Sequence, residues 1–294
     1  MSSDTPTRAA IVATAGETIA RGSKSFAMAS RLFDRTTRER AWLLYAWCRA
    51  CDDLADGQDH GGRLSLVGDP AARLAILRNL TDRALAGEWV GEASFDGLRI
   101  LCAEVAIPRA MIDDHIAGFA LDADGWRPRT QADLLLYCHH VAGAVGMMMA
   151  LVMGVSPDDA GTLGRADDLG LAFQLANVAR DVREDAEGGR VYLPQDWLDG
   201  VDVAQVDRYK PQLAILTARL AALADGYEAS ARIGARKLPF RARWAVLAAA
   251  GIYGDIARTV ARRGEAALDR RVVTSGASKL GWIARALVQA WRQA

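Results

Sequence analysis

The chain has no surplus of charge of either sign. In 294 residues, 36 Lys and Arg face 36 Asp and Glu, for a formal net charge of zero. A nucleic-acid-binding protein would usually show a basic excess or stripe, so no nucleic-acid partner is expected. Cysteine is scarce. Cys48, Cys51, Cys102 and Cys138 are the four present, and the Cys48-x-x-Cys51 spacing lacks the second pair that would complete a zinc site. They read as buried structural thiols in a reduced, cytoplasmic compartment. Met1 to Arg8 is polar with no apolar run behind it, so no signal peptide is expected. Val, Ile and Thr rarely alternate with polar residues, which argues against strands. No Gly-x-Gly-x-x-Gly fingerprint occurs. The eight Pro residues fall at or near predicted helix edges. No linker, composition shift or long internal repeat divides the chain. It is therefore read as one all-α domain spanning 1–294, with residues 1–7 expected to be disordered.

Apolar residues make up 51% of the chain, which is ample for a large core. The longest apolar run, Leu134 to Val155, is long enough to span a membrane. It contains Tyr137, His139 and His140, is interrupted by Gly143, Gly146 and Gly154, and has no basic flank close to either end. It reads better as a buried central helix. Gly143 and Gly146 would let a backbone or ligand approach closely. Met147, Met148 and Met149 offer adaptable apolar surface, as core or as the wall of a tunnel. Around this run, helices are predicted from about Arg8 to Arg21, Thr37 to Gly57, Pro70 to Gly87 and on either side of Pro108. Others are predicted over Pro157 to Asp185, over Val203 to Lys237 as one long helix or a broken pair whose main part opens at Pro211, and over Pro239 to Gly264 and Gly276 to Ala294. Gly22 to Phe26 reads as a break, Gly57 to Pro70 as a loop holding a solvated His60, and Trp89 to Asp96 as irregular. Asp113, Asp114 and His115 read as a solvated face in preference to a metal site.

Two acidic stripes organise the rest. Taken as helix, Gln174, Asn177, Asp181 and Asp185 step by three, four and four, which puts them on one face. The same face is apolar upstream, at Leu169 and Phe173. Like charges one turn apart cost a helix about 0.2–0.5 kcal/mol, and carboxylates running into an apolar face call for a neutralising cation. Tyr45, Arg49, Asp52 and Asp56 repeat the pattern with steps of four, three and four. Two Asp-x-x-x-Asp stripes facing each other would make a hard-oxygen site of the kind Mg²⁺ occupies together with substrate phosphates. The plainer reading of either stripe is a solvated helix surface.

At these residues the chain resembles the squalene/phytoene synthase family, most closely its bacterial phytoene-forming members. The resemblance rests on Gly22-Ser23-Lys24-Ser25-Phe26, Tyr45-Ala46-Trp47-Cys48-Arg49, Asp52-Asp53-x-x-Asp56, Tyr137-Cys138-x-His140-Val141-Ala142-Gly143 and Gln174-x-x-Asn177-x-x-Arg180-Asp181. It continues through Asp185 and Gly189-Arg190-Val191-Tyr192-Leu193-Pro194. It implies an isoprenoid-synthase-type helical bundle around a central cavity. The implied reaction joins two geranylgeranyl diphosphates head to head through prephytoene diphosphate to phytoene. A C30 enzyme working on farnesyl diphosphate, making presqualene diphosphate or dehydrosqualene, is the alternative, since tunnel depth sets chain length.

The resemblance also implies roles. Asp52, Asp53, Asp56, Asn177, Asp181 and Asp185 would hold Mg²⁺ or Mn²⁺, with no redox cofactor. Asp52, Asp56, Asp181, Asp185, Tyr45 and Arg49 would be catalytic. Ser23, Lys24, Ser25, Phe26, His140, Gln174, Asn177, Arg180, Arg190, Tyr192 and Tyr253 would bind substrate. His140 stands where plant-type members often have Tyr. Prenyl diphosphates are the expected partners, with peripheral membrane contact at the inner face and contact with carotenoid-pathway enzymes. The last helix, with Trp282, Ile283, Leu287 and Trp291 beside Lys279, Arg285 and Arg292, suits an interface, and core packing would use the same apolar residues.

Overall fold

Capping chemistry sets where the helices begin. Thr7 accepts from the Ala10 N–H and opens α1 (Arg8–Gly22). Ser23 accepts from the Phe26 N–H and opens α2 (Lys24–Ser30), and Asp34 accepts from the Thr37 N–H and opens α3 (Arg35–Asp56). The expected break at Gly22 to Phe26 is thus a single joint at Ser23. Asp69 caps α4 (Pro70–Leu85), with Pro70 in the first turn, where a missing N–H costs nothing. Next come α5 (Ala93–Glu104) and α6 (Arg109–Ala123), on either side of Pro108. A Thr130–Asp133 capping box opens α7 (Gln131–Cys138), which runs through a π-helical turn (His139–Gly143) into α8 (Ala144–Val152). The chain continues through α9 (Ala160–Arg180), α10 (Val182–Glu187), α11 (Gln195–Leu198), α12 (Lys210–Gly234), α13 (Phe240–Arg263), α14 (Ala266–Asp269) and α15 (Gly276–Arg292). This computed structural model describes residues 6–57 and 68–293, the Asp56 side chain excepted, and no strand occurs among the described residues. The loop expected after Gly57, with His60, falls mostly outside them. So do residues 1–5 of the segment expected to be disordered, while Thr7 is ordered as the cap of α1.

Two large apolar cores, with two smaller clusters beside them among the described residues, hold the bundle. One lies among α1, α3, α4, α5 and α6 around Leu43, Trp47, Leu98 and Leu101, all fully buried. The other joins α9, α12 and α13 around Leu175, Leu213, Leu220 and Val260. Between them run α7, the π-helical turn and α8. The continuous stretch Gln131–Val152 is long and apolar enough to cross a membrane, yet it sits inside the bundle. Leu134, Tyr137, Cys138, Ala144 and Met148 are buried, and Val145 and Met149 face an internal cavity.

Glycines make that placement workable. A Cβ on Gly170 would lie 2.3 Å from the Ala142 carbonyl oxygen and 2.6 Å from the Gly143 Cα, and one on Gly146 would lie 2.3 Å from the Ala166 oxygen. Each side therefore offers a glycine to the other's backbone: Gly170 of α9 to the π-helical turn, and Gly146 of α8 to α9. Since the obstacles are main-chain atoms, Gly170→Ala should destabilise by about 2 kcal/mol or more, read as a lower denaturation midpoint at unchanged slope.

Two expectations need correcting. The second acidic helix is not continuous from Pro157 to Asp185. It starts at Ala160, capped by Asp159, and breaks at Asp181, whose φ and ψ are −103° and 16°. Asp is a weak helix former, and here its carboxylate is taken by Arg180 and Arg271. The Asp113–His115 stretch is not uniformly solvated. His115 is buried against Trp47 and Phe119, with ring centroids 5.4 and 5.0 Å away, and its Nδ1–H donates to the His140 carbonyl at 3.3 Å.

Burial lowers the His115 pKa to about 4, against an ordinary 6.5. The unfolded chain therefore takes up a proton at higher pH than the folded one. The resulting stability is complete above pH 6.5 and is lost as pH falls from 6.5 toward 4, by about 3 kcal/mol in all. Melting temperatures across that window should fall more steeply for the wild type than for His115→Gln. Parallel profiles would contradict this.

Candidate active site

The helices leave two connected cavities. The polar one, about 380 Å³, opens where the ends of α3 and α9 meet and is lined by Asp52, Asp122, Gln174, Asn177, Asp181 and Asp185, with Arg73, Arg180 and Arg190 interleaved. The apolar one, about 370 Å³, runs inward between α2, α3, α8, α9 and α13. Asp52, Val141, Gln174 and Asn177 line both, so a molecule can hold a charged end in the first and an apolar chain in the second.

Each side chain reaches this junction through the register of its helix. On α3, Tyr45, Cys48 and Asp52 follow one face and line the apolar cavity, while Trp47 and Cys51 point into the core. On α9, Leu169, Phe173, Gln174 and Asn177 do the same, as the stripe pattern predicts. The Gly188–Gly189 turn, with Gly189 at φ 75°, then carries the chain back so that Arg190 and Tyr192 close the polar cavity.

The electrostatics are uneven. Burial would raise the Asp181 carboxyl, but Arg180 and Arg271 hold it below the usual range. Arg180 Nε donates to it at 2.7 Å, and Arg271 Nε and Nη2 at 2.8 and 3.0 Å. Asp185 has the opposite fate. Burial, and then the Asp181 charge, push its carboxyl up to about 7. A half-buried carboxyl held up in this way would be ionised by a bound cation. Asp52, Asp181 and the Asn177 amide line the same cavity and offer further oxygen donors. Hard divalent cations prefer oxygen donors, so the residues present fit such an ion.

Aromatic rings cluster on the wall of the apolar cavity. Tyr253 stacks on Phe173 at 4.3 Å and on Phe26 at 5.3 Å, and Tyr45 meets Phe26 edge-on at 6.3 Å. Burial pushes the Tyr253 hydroxyl up to about 12. A second stack, Trp126, Tyr137 and Tyr192, borders the polar cavity, where both tyrosine hydroxyls donate to Asp122 at 3.0 Å.

The site candidates divide accordingly. Asp52, Asp181, Asp185, Gln174, Asn177, Arg180, Arg190 and Tyr192 line the polar cavity, and Tyr45, Phe26 and Tyr253 the apolar one. Asp56 ends α3, and its side chain lies outside the described atoms. Asp53 lines neither cavity; Arg49 grips it at 2.5 Å and reaches Asp52 only at 4.0 Å. Ser23, Lys24 and Ser25 also stand outside the lining. Ser23 is spent on capping α2 and on Tyr253, and Lys24 is exposed. His140 is turned away from both cavities, toward Asp114. Asp122, Arg73 and Arg271 belong to the site or its edge but carry no periodic signal, whereas Phe173 lies on the predicted stripe face. Asp122 follows the apolar run Phe119-Ala120-Leu121 near the end of α6, and an acid in that place was the available clue.

A helical bundle with a carboxylate- and arginine-lined mouth over an apolar cavity defines an enzyme of the prenyl-transferase type. The squalene/phytoene synthase family profile matches residues 19–278, and the chain belongs to that family. A relative named 15-cis-phytoene synthase from Paracoccus sp. (strain N81106 / MBIC 01143) is 46% identical over 273 residues, covering 92% of this chain and 89% of the relative. One of the same name from Pantoea ananas is 42% identical over 280 residues, covering 93% and 90%. The crystal structure of a dehydrosqualene synthase in complex with ligand superposes with a TM-score of 0.85 at 26% identity, covering 97% of this chain and 98% of that one. The fold is the all-α isoprenoid-synthase type expected from the sequence.

Proposed function

We propose that the chain joins two geranylgeranyl diphosphates head to head into 15-cis-phytoene by way of prephytoene diphosphate. The observation that carries this reading is the junction itself, where four lining residues belong both to a charged mouth and to an apolar cavity. Relatives named phytoene synthase at 42–46% identity support it. In the first half, one C–O bond breaks, a cyclopropane forms, and diphosphate and a proton leave. In the second, the other C–O bond breaks, the ring rearranges, and diphosphate and a proton leave again. The balance needs no reductant.

Arg180 and Arg190 would bind the diphosphate oxygens, matching their fixed forks of donors to the phosphate. Asp52, Asp181, Asp185 and Asn177 would hold Mg²⁺ or Mn²⁺. The ion would supply charge neutralisation at the departing diphosphate. Phe26, Tyr45, Phe173 and Tyr253 present aromatic faces where a carbocation would form, worth about 0.5–2 kcal/mol each. The apolar walls keep water from the cation. The deciding experiment is product analysis with C20 and C15 diphosphates, each with Mg²⁺, Mn²⁺ or chelator. A C40 product from the C20 substrate without NADPH is expected. A C30 product with little C40 would select the farnesyl reading, and full turnover in chelator would remove the metal.

The same reading places the protein in the cytoplasm, peripheral on the inner face of the membrane and within reach of carotenoid-pathway enzymes. Its substrate tail and product are lipid-soluble. On α15 the apolar residues split in two. Trp282 packs over Gly251 and the Ile283 carbonyl accepts from Trp244 Nε1–H, whereas Leu280, Leu287, Val288 and Trp291 are exposed beside Lys279 and Arg292. That outer stripe suits an interfacial helix. Trp291→Glu with Leu287→Glu should move the protein from the vesicle-bound to the free fraction; an unchanged partition would sink the assignment.

A further inference from the structure

We propose that Asp114, His139 and His140 form a second metal site, for a borderline divalent ion of the zinc type, on the outer side of the wall made by α6 and the π-helical turn. The potential donor atoms of the three residues all lie within 4.8 Å of one another. His139 Nε2 is 3.6 Å from Asp114 Oδ2, and His140 Nδ1 is 3.8 Å from Asp114 Oδ1. A tetrahedral ion with bonds near 2.0–2.1 Å holds its ligand atoms roughly 3.3 Å apart. The two histidine–carboxylate distances are within about half an ångström of that spacing, and the largest separation in the trio, at most 4.8 Å, has to close by up to about 1.5 Å.

Three independent features point the same way. The first is backbone. Adjacent residues on an α-helix are rotated by about 100°, too far for both to address one ion readily. The His139–Gly143 turn is π-helical, with more residues per turn and less rotation between neighbours, and the two imidazole centroids are 5.4 Å apart. The second is orientation. His139 Nδ1–H donates to Asp167 Oδ1 at 2.8 Å, and Nε2, 3.6 Å from Asp114 Oδ2, is the ring nitrogen left to face an ion. A carboxylate behind a histidine is how metal-ligating imidazoles are commonly fixed in ring orientation and tautomer. The third is an unfilled position. His140 Nδ1 is buried without a hydrogen-bond partner, an arrangement that usually costs stability and that a metal bond would relieve.

The site is separate from the polar cavity, for none of the three residues lines it. Its two nitrogen donors select a different ion from the all-oxygen set there. Asp114 is half-exposed, so an ion can enter from solvent. Bound, the ion would clip α6 to the π-helical turn. Two residues of that wall, His115 and Val141, face the apolar cavity, so the clip would stiffen one side of it.

Co²⁺ is the probe, because its ligand-field bands report nitrogen coordination without reference to turnover. The full chain is titrated with Co²⁺ in excess Mg²⁺. One equivalent should bind with visible bands, and Zn²⁺ should displace it and raise the melting temperature. His139→Ala should abolish the bands, Asp114→Asn should weaken binding at least tenfold, and Asp167→Asn by about 10–100-fold. The Asp52→Asn/Asp181→Asn variant should keep them. If His139→Ala does not fold, the conservative Asp114→Asn decides. Absent bands in the wild type, undiminished binding in Asp114→Asn, or bands lost with the cavity carboxylates would each overturn the site.

Discussion

Asp52→Asn and Asp181→Asn should each cut phytoene formation by on the order of 10²-fold or more, and the double variant should be little worse than either. The reason is shared function. Asp52 comes from α3 and Asp181 from the end of α9, yet both line one polar cavity. A diphosphate held from both sides cannot ionise well if either side lets go, so losses from residues acting together do not add. The two substitutions differ in what else they disturb. Asp52 is exposed, and removing its charge leaves the fold alone. Asp181 is the partner of Arg180 and Arg271, and Asn would leave the half-buried Arg180 guanidinium without its anion, at a cost of about 1–3 kcal/mol. Asp181→Asn should therefore also melt lower, whereas Asp52→Asn should not. Asp158→Asn, on an exposed turn before α9, serves as control for both rate and melt. Near-normal turnover in folded Asp52→Asn would remove that carboxylate from the mechanism.

The sequence made the stripes legible because a helix converts spacing into direction. Tyr45 and Asp52 on α3, and Phe173, Gln174 and Asn177 on α9, could be placed on one cavity from their intervals alone. What spacing could not convey was the partner across the gap. Arg271 lies 90 residues from Asp181, and no local pattern announces that it will grip that carboxylate. Asp122 reaches the site only because Tyr137 and Tyr192, on two other segments, aim their hydroxyls at it. Glu39 looks like a bystander in the sequence, yet it holds Arg8 at 2.6 Å and Arg35 at 2.8 Å. The break at Asp181 and the π-helical turn at His139 were hidden for a different reason. Both occur inside runs whose apolar periodicity is helical on either side, and one residue of altered rotation hardly changes that pattern. The turn matters most for His140, which an unbroken α-helix would have aimed differently.

Ala166→Phe should separate chain lengths: turnover of the C20 substrate should fall at least tenfold while a C15 substrate is spared. Ala166 lies on the apolar cavity wall, on the same helix as Asn177 at the mouth. Eleven residues separate them, which at about 1.5 Å per residue is roughly 16 Å of depth. Met149, Met153, Leu238 and Ala235 line the same cavity, which offers a phenyl ring open space beside the Ala150, Leu151 and Leu163 cluster that Ala166 packs against. The far end of the longer tail would need the same space, and overpacking costs about 1–3 kcal/mol, enough for ten- to a hundredfold in binding. A shorter tail ends nearer the aromatic cluster of Phe26, Phe173 and Tyr253 and would not meet the ring. Because diphosphate contacts are untouched, the loss with the C20 substrate should appear as raised KM and in competition assays, where the farnesyl compound gains preference. An equal loss for both substrates would mean that the ring had disturbed the helix packing. No loss for either would mean that the C20 tail does not reach Ala166, and that chain length is measured elsewhere in the cavity.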